Sequence, residues 1–472
     1  MGVAHAPHPQ RWSSWAWGAI AVTAAFIAIS CWWVHQDHGV PFADAASHLI
    51  TVVAYYDRLH SGDFGKLLYE SGYYPPLTFL TGAIASLIGG LNASTPVIGE
   101  NLVYGSLIAL GCYHTGKLVA GPAGGFLAVL FVLGSPLLIE QMHVFMIDAP
   151  QAALVAVAVW LILASDRFRD VRLSAAAGTA VGAGMASKEQ FALFVAGLLV
   201  VVVAREQGWR NRRGMLAFAA CTLVIAAPWY VANLSKLSAF ATAAGAGPDL
   251  PARGKPPLLS VSNAGWYVWA LVNGLLFAPL FAFAAIGTVR AGVSVVRARP
   301  EVRDVPLAAI PFAPELLGGL LGGWLGLTLV RHHDMRYAMG LLVYLAVLGT
   351  AWIVRLRRTW RIGATAALAS AVVATTLGAS FGIGGDVRVL LAGDPVATDR
   401  TFGIPPPSQL TVYADQTSAF PHPSAWTICP ACSRRCSATA SRVWRGTRPR
   451  DPAEIRSSTP RGSGCCHASP TW

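Results

Sequence analysis

Charged residues are scarce in this sequence. Asp, Glu, Lys and Arg make up 12% of its 472 residues, against roughly 25% in a water-soluble domain. That shortage excludes an ordinary soluble fold. Lysine is rarer still, with five in the whole chain. No glycine-rich phosphate-cradling motif occurs, which excludes the familiar nucleotide-binding loops. The first apolar run leads into Trp32-Trp33 with no small-residue cleavage site after it, so a cleavable signal peptide is not expected. Cys31, Cys112 and Cys221 lie singly in or beside apolar segments, where a small buried hydrophobe is the default reading.

Apolar residues are abundant. They form 54% of the chain, the mean hydropathy is +0.51, and stretches long enough to cross a bilayer recur from residue 14 to about 382. The expected fold class is an all-α polytopic membrane protein. Net charge is +12, but the arginines gather in short loops between apolar runs, the positive-inside pattern of membrane topology rather than a nucleic-acid surface.

Candidate spans cover roughly 14–34, 96–115, 122–140, 149–165, 174–187, 190–204, 215–232, 266–289, 307–330, 338–354 and 362–382. The cationic loops are Arg167/Arg169/Arg172, Arg205/Arg210/Arg212/Arg213, Arg290/Arg297/Arg299/Arg303 and Arg355/Arg357/Arg358/Arg361. Placing them and Arg11 inside gives eleven spans and an external C-terminus. The stretch 77–90 would break that parity. As a helix it is about 21 Å long, short of a hydrocarbon core of roughly 30 Å. It reads as a re-entrant or interfacial helix in a large first external loop, 35–95. The pair 174–187 and 190–204 reads as a tight hairpin whose tip, Lys188-Glu189, reaches the outer face. Segment 44–60 is amphipathic at helical period: Asp44, His48, Thr51 and Tyr55 share one face, and Leu49, Val52, Val53 and Tyr56 another.

This topology brings reactive groups to one side: Asp44 and His48, Asp148, Lys188, and the run Arg331-His332-His333-Asp334-Met335-Arg336-Tyr337. Charges at membrane depth cost at least ~2.5–3.5 kcal/mol each, so they pair or line a functional site. Each has a plainer reading. Asp148 precedes Ala149-Pro150 and suits a helix N-cap, Lys188 could snorkel to the interface, and Arg336 could be a loop cation. His48, His143 and Asp148 are candidate ligands for a divalent metal, without a fixed spacing to support it. Taken together the set has chemical sense. A carboxylate can take the proton of an acceptor as it attacks a sugar carbon, while lysine and arginine stabilise a phosphate leaving group.

The ordered motifs carry a resemblance. Asp44 with Ser61-Gly62-Asp63-Phe64 is followed by Tyr74-Pro75-Pro76-Leu77 and Gly89-Gly90, then Met146-Ile147-Asp148-Ala149-Pro150. Next come Gly182-Ala183-Gly184-Met185-Ala186-Ser187-Lys188, Ala227-Pro228-Trp229 and Met335-Arg336-Tyr337. Over about residues 14–360 the chain resembles bacterial GT-C glycosyltransferases of the protein O-mannosyltransferase and lipid A aminoarabinose transferase type. The resemblance implies a polyprenyl-phosphate sugar donor, a glycan, lipid or protein acceptor, transfer with inversion on the extracytoplasmic face, and residence in the inner (plasma) membrane. It implies catalytic roles for Asp44 and Asp148, donor-phosphate contacts for Lys188, Arg336 and Tyr337, and support from His48 and Tyr74. Ala45 follows Asp44 where the family often has a second acid, Asp37 is a nearby rival, and Gly340-Leu341-Leu342 replaces a proline expected after Arg336-Tyr337. A polyprenyl-lipid or sugar transporter and a non-catalytic subunit are the alternatives, although no internal repeat of the transporter kind is visible.

The expected organisation is a cytoplasmic N-terminus over 1–13, a transmembrane domain over 14–395, and an extracytoplasmic tail over 396–472. The tail opens near Pro405-Pro406-Pro407 and turns Ser/Arg/Pro/Cys-rich, a composition that reads as disordered or as the product of a reading-frame change. Cys429, Cys432 and Cys436, with Cys465, Cys466 and His467, mimic a metal spacing but lack a second CxxC pair.

Overall fold

The computed structural model describes residues 13–37, 41, 43–71, 73–205, 210–237, 257–297, 310–330 and 333–381. The tail and its cysteines lie outside the described residues, as do Arg331 and His332. The described residues form helices and turns with no strand.

Helix α1 (Ser14–Gln36) starts at Ser13, whose hydroxyl accepts from the Ala16 amide, a side-chain N-cap. The first loop follows as α2 (Ala43–Ser61), the short α3 (Leu67–Glu70) and α4 (Leu77–Gly89). The bundle continues with α5 (Ser94–Leu133), α6 (Pro136–Met142), α7 (Asp148–Ala164), α8 (Val171–Met185), α9 (Phe191–Ala204) and α10 (Arg212–Ala232). It ends with α11 (Val261–Ala270), α12 (Phe277–Arg297), α13 (Ala313–Leu327), a 3₁₀ turn over Met335–Leu341, α14 (Leu342–Ala351) and α15 (Arg358–Phe381).

Among the described residues six stretches are long and apolar enough to cross a membrane: 14–36, 94–133, 212–232, 277–297, 335–355 and 358–381. Shorter apolar helices occupy 77–89, 148–164 and 191–204. The two spans expected at 96–115 and 122–140 are continuous as α5 but fold back at Ala120-Gly121, where Gly121 takes φ 74°. Only glycine adopts that backbone without strain. Across the turn a Cβ on Gly116 would lie 2.7 Å from the Gly124 carbonyl oxygen, so the two arms touch backbone to backbone. The second arm stops at Leu133, because Ser135 caps a new helix with Pro136 at its first position. The run expected at 266–289 is likewise broken, by a π turn over Leu271–Leu275 and by Phe277 at φ 49°.

Two expectations are corrected. Helices α8 and α9 do not form a tight hairpin: α8 packs along α10 and α9 along α13. Glycines explain this partnering, since a Cβ on Gly178 would meet the Phe218 carbonyl at 2.1 Å and one on Gly197 the Gly318 carbonyl at 2.1 Å. The inward face of α2 is Ala45, His48, Val52 and Tyr55, all buried; His48 and Tyr55 therefore side with Val52 rather than with Asp44. Their spacing of three and four residues is one helical stripe. It packs on α4, which buries Thr78, Phe79, Gly82, Ala83 and Ser86 and leaves Ile84, Leu87 and Ile88 exposed. The Tyr55 hydroxyl donates to Ser71 Oγ at 3.0 Å, the Trp229 indole donates to the same oxygen at 3.2 Å, and Asn233 Nδ2 donates to the Leu68 carbonyl at 2.7 Å. The first loop is thereby fastened to α10.

Candidate functional site

Asp44 is the second residue of α2, and its carboxylate points out of the helix, with 60% of the side chain exposed. Asp148 opens α7 and is buried. Lys188 sits in the turn between α8 and α9, and Arg336 and Tyr337 lie in the 3₁₀ turn before α14. These elements are far apart in the chain and meet at one place.

Lys188 Nζ lies 2.6 Å from Asp148 Oδ1, with both side chains nearly inaccessible. The same ammonium stands 4.6 Å from the centre of the Tyr337 ring, within cation–π range. Lys188 is therefore an interior residue and does not snorkel. Asp148 spends its carboxylate on the lysine rather than on capping its own helix. A buried ion pair of this kind contributes little net stability, but removing one partner costs about 3–5 kcal/mol because a lone charge is left behind.

Arg336 forms the second half of the site. Its Nη2 donates to Asp44 Oδ2 at 2.9 Å and to Asp334 Oδ2 at 2.6 Å, and its Nε donates to Asp334 Oδ2 at 2.8 Å. Asp334 also accepts from the Arg336 backbone amide at 3.0 Å, so one carboxylate caps the turn and aims the guanidinium. Of the two rival acids in the first loop, Asp44 is the one that meets Arg336; Asp37 ends α1. Asp334 stands in the run 331–337 read as part of this side of the molecule but is given no role by the sequence, although its spacing from Arg336 (Asp-Met-Arg) suits a capping acid that holds the arginine.

His48 lies one turn along α2 from Asp44, buried edge-on against Tyr74 and Phe79, both at 5.7 Å. Burial pulls its imidazole below the usual range, against the pull of Asp148 and Asp44. Tyr74 is half-buried against Tyr73, and burial pushes its phenol far up. His143 stacks flat on Trp33 at 4.1 Å, and burial drives its pKa down to about 3. Among the described residues no group of three or more His, Cys, Asp or Glu side chains comes together. The candidate metal ligands His48, His143 and Asp148 are thus not brought together: Lys188 holds Asp148 and Trp33 covers the His143 ring.

Residues 74–231 match the profile of the dolichyl-phosphate-mannose-protein mannosyltransferase family. The fold is similar to that of ArnT from Cupriavidus metallidurans in the apo state, with a TM-score of 0.54 at 16% identity over 74% of this chain and 62% of that one. ArnT bound to undecaprenyl phosphate matches with a TM-score of 0.54 at 15% identity, over 73% of this chain and 61% of that one. The chain thus spans about three fifths of the length of ArnT. No curated protein sequence matches it significantly. The fold is that of a polytopic GT-C membrane protein. Within that class it is similar to ArnT in fold and, over residues 74–231, to the dolichyl-phosphate-mannose-protein mannosyltransferase family in sequence.

Proposed function

We propose that this protein is a membrane glycosyltransferase that moves a sugar from a polyprenyl-phosphate donor to a glycan, lipid or protein acceptor on the extracytoplasmic face of the plasma membrane. The observation that carries this reading is the meeting of Asp44, Asp148, Lys188 and Arg336 at one site, with one carboxylate exposed and the other buried. The likeness to ArnT, which has been seen with undecaprenyl phosphate, and the family match support the donor class.

In this reading Asp44 is the base. It takes the proton of the acceptor hydroxyl or amine as that atom bonds to the anomeric carbon. The bond from that carbon to the phosphate oxygen breaks on the opposite side, inverting the centre. Negative charge grows on the departing lipid phosphate, where Lys188 and Arg336 stabilise it. Asp148 holds Lys188 in place and Asp334 holds Arg336, so both cations are positioned before the donor arrives.

The test is transfer from a panel of polyprenyl-phosphate sugars in purified membranes, wild type beside Asp44→Asn. Activity with one donor, lost in the variant, is the expected result. A folded wild type inactive with every donor would overturn the reading.

A further inference from the structure

Glu189 follows Lys188 in the turn between α8 and α9. The turn is fixed from several directions. The Leu77 amide donates to the Ala186 carbonyl at 2.9 Å, the Lys188 amide to the Gly184 carbonyl at 3.0 Å and the Phe191 amide to the Lys188 carbonyl at 3.1 Å. The hydroxyls of Thr78 and Ser187 share a hydrogen bond of 2.8 Å. Glu189 is thus held beside the site and is not a loose surface acid.

One oxygen of its carboxylate lacks a partner, while the group also takes a hydrogen bond from its own backbone amide. Oε2 is sealed from solvent and receives no hydrogen bond from the protein, and the neighbouring ammonium is committed to Asp148 at 2.6 Å. Leaving such an atom unsatisfied costs about 1–3 kcal/mol, and folded proteins keep few of them without a reason. The surroundings suggest the reason. The charge of Glu189 is felt by Lys188 and Asp148 and by the phenols of Tyr73, Tyr74 and Tyr230. Tyr73 is 45% exposed, so this edge of the site is open, while Tyr230 is anchored by donating to the Met185 carbonyl at 3.0 Å. An acceptor oxygen on a turn to which Tyr230 and the segment following Tyr73-Tyr74 are both hydrogen-bonded is the pairing that suits a sugar, whose hydroxyls donate and whose C–H face packs on a ring. Burial lifts the Glu189 carboxyl above the usual range.

We propose that Glu189 reads the sugar of the donor lipid, its buried oxygen accepting a hydrogen bond from a sugar hydroxyl. The inference rests on the glycosyltransferase reading above. It assigns recognition of the sugar to the residue next to the lysine that faces the phosphate, so that one turn handles both parts of the donor.

The experiment compares the binding of bare polyprenyl phosphate with that of the sugar-bearing polyprenyl phosphate that supports transfer, using the full-length protein in detergent. Glu189→Ala should weaken the sugar-bearing lipid by about 10- to 100-fold and leave the bare lipid unchanged. Glu189→Gln keeps the shape and an acceptor oxygen and should lose less. Among deoxy donors, the one lacking the recognised hydroxyl should lose the same factor with wild type and nothing further with Glu189→Ala. Equal weakening of both lipids, or of neither, would overturn the inference while leaving the enzyme class standing. A wild type that binds neither lipid would overturn the class and this inference with it.

Discussion

Arg336 Nη2 stands 2.9 Å from Asp44 Oδ2 across 292 residues of chain. The pair is loose: the side chains are 21% and 60% exposed, and exposed pairs contribute only ~0–1 kcal/mol. The Lys188–Asp148 pair is its opposite, buried and fixed. In the proposed reading, a donor phosphate that takes over the Arg336 guanidinium would release the Asp44 carboxylate at the moment a base is needed. Donor binding and base activation are then one event.

Asp44→Asn should lower transfer at least ~100-fold while leaving the melting temperature almost unchanged, because the side chain is exposed and buries nothing. Turnover assays and thermal denaturation on the same preparation check both halves. Undiminished turnover would remove Asp44 as the base.

Lys188→Ala should destabilise the protein by about 3–5 kcal/mol by stranding the Asp148 charge. Adding Asp148→Ala should restore much of that stability and none of the activity. If the double variant is no more stable than the single one, the two residues do not form the buried pair on which the site is built.

Acid should weaken the fold through its buried imidazoles. Burial holds His143 at about 3 and His48 below its ordinary value, whereas histidine in an unfolded chain titrates near ~6.5. The unfolded chain therefore takes up protons first as pH falls. Stability is complete above ~6.5 and declines below it, by about 2 kcal/mol for His143 between pH ~6.5 and pH ~5. His143→Phe keeps the stack on Trp33 and should flatten that decline in melting curves. An equal slope in wild type and variant would clear His143 of the effect.

Gly116→Val should force the two arms of α5 apart, since even a Cβ would stand 2.7 Å from the Gly124 carbonyl. A loss of about 1–3 kcal/mol is expected, read as lower expression and an earlier melting point. A variant that melts with the wild type would mean that the arms do not meet at this glycine.

The sequence made much of this architecture legible because a bilayer imposes long apolar runs and confines charge to their ends. Asp44, Asp148, Lys188 and Arg336 stood out as polar residues at those ends, and all four meet in the structure. The pairing among them was not legible. Whether Lys188 points to solvent or to Asp148 depends on how α7 and the α8–α9 turn are brought together, which no local pattern records. The inward face of α2 was misread for a similar reason: His48 and Tyr55 are polar by type, yet the ring of one meets Phe79 and the hydroxyl of the other finds Ser71. Asp334 is visible in the run 331–337 but its role is not, because that role lies in holding another residue.

The hydrogen bonds from Leu77 to Ala186 and between Thr78 and Ser187 couple the turn that bears Lys188 to the first residues of α4. That helix turns Ile84, Leu87 and Ile88 outward. The turn that carries the Lys188–Asp148 pair is thus fastened to a helix whose opposite face is apolar and exposed among the described residues.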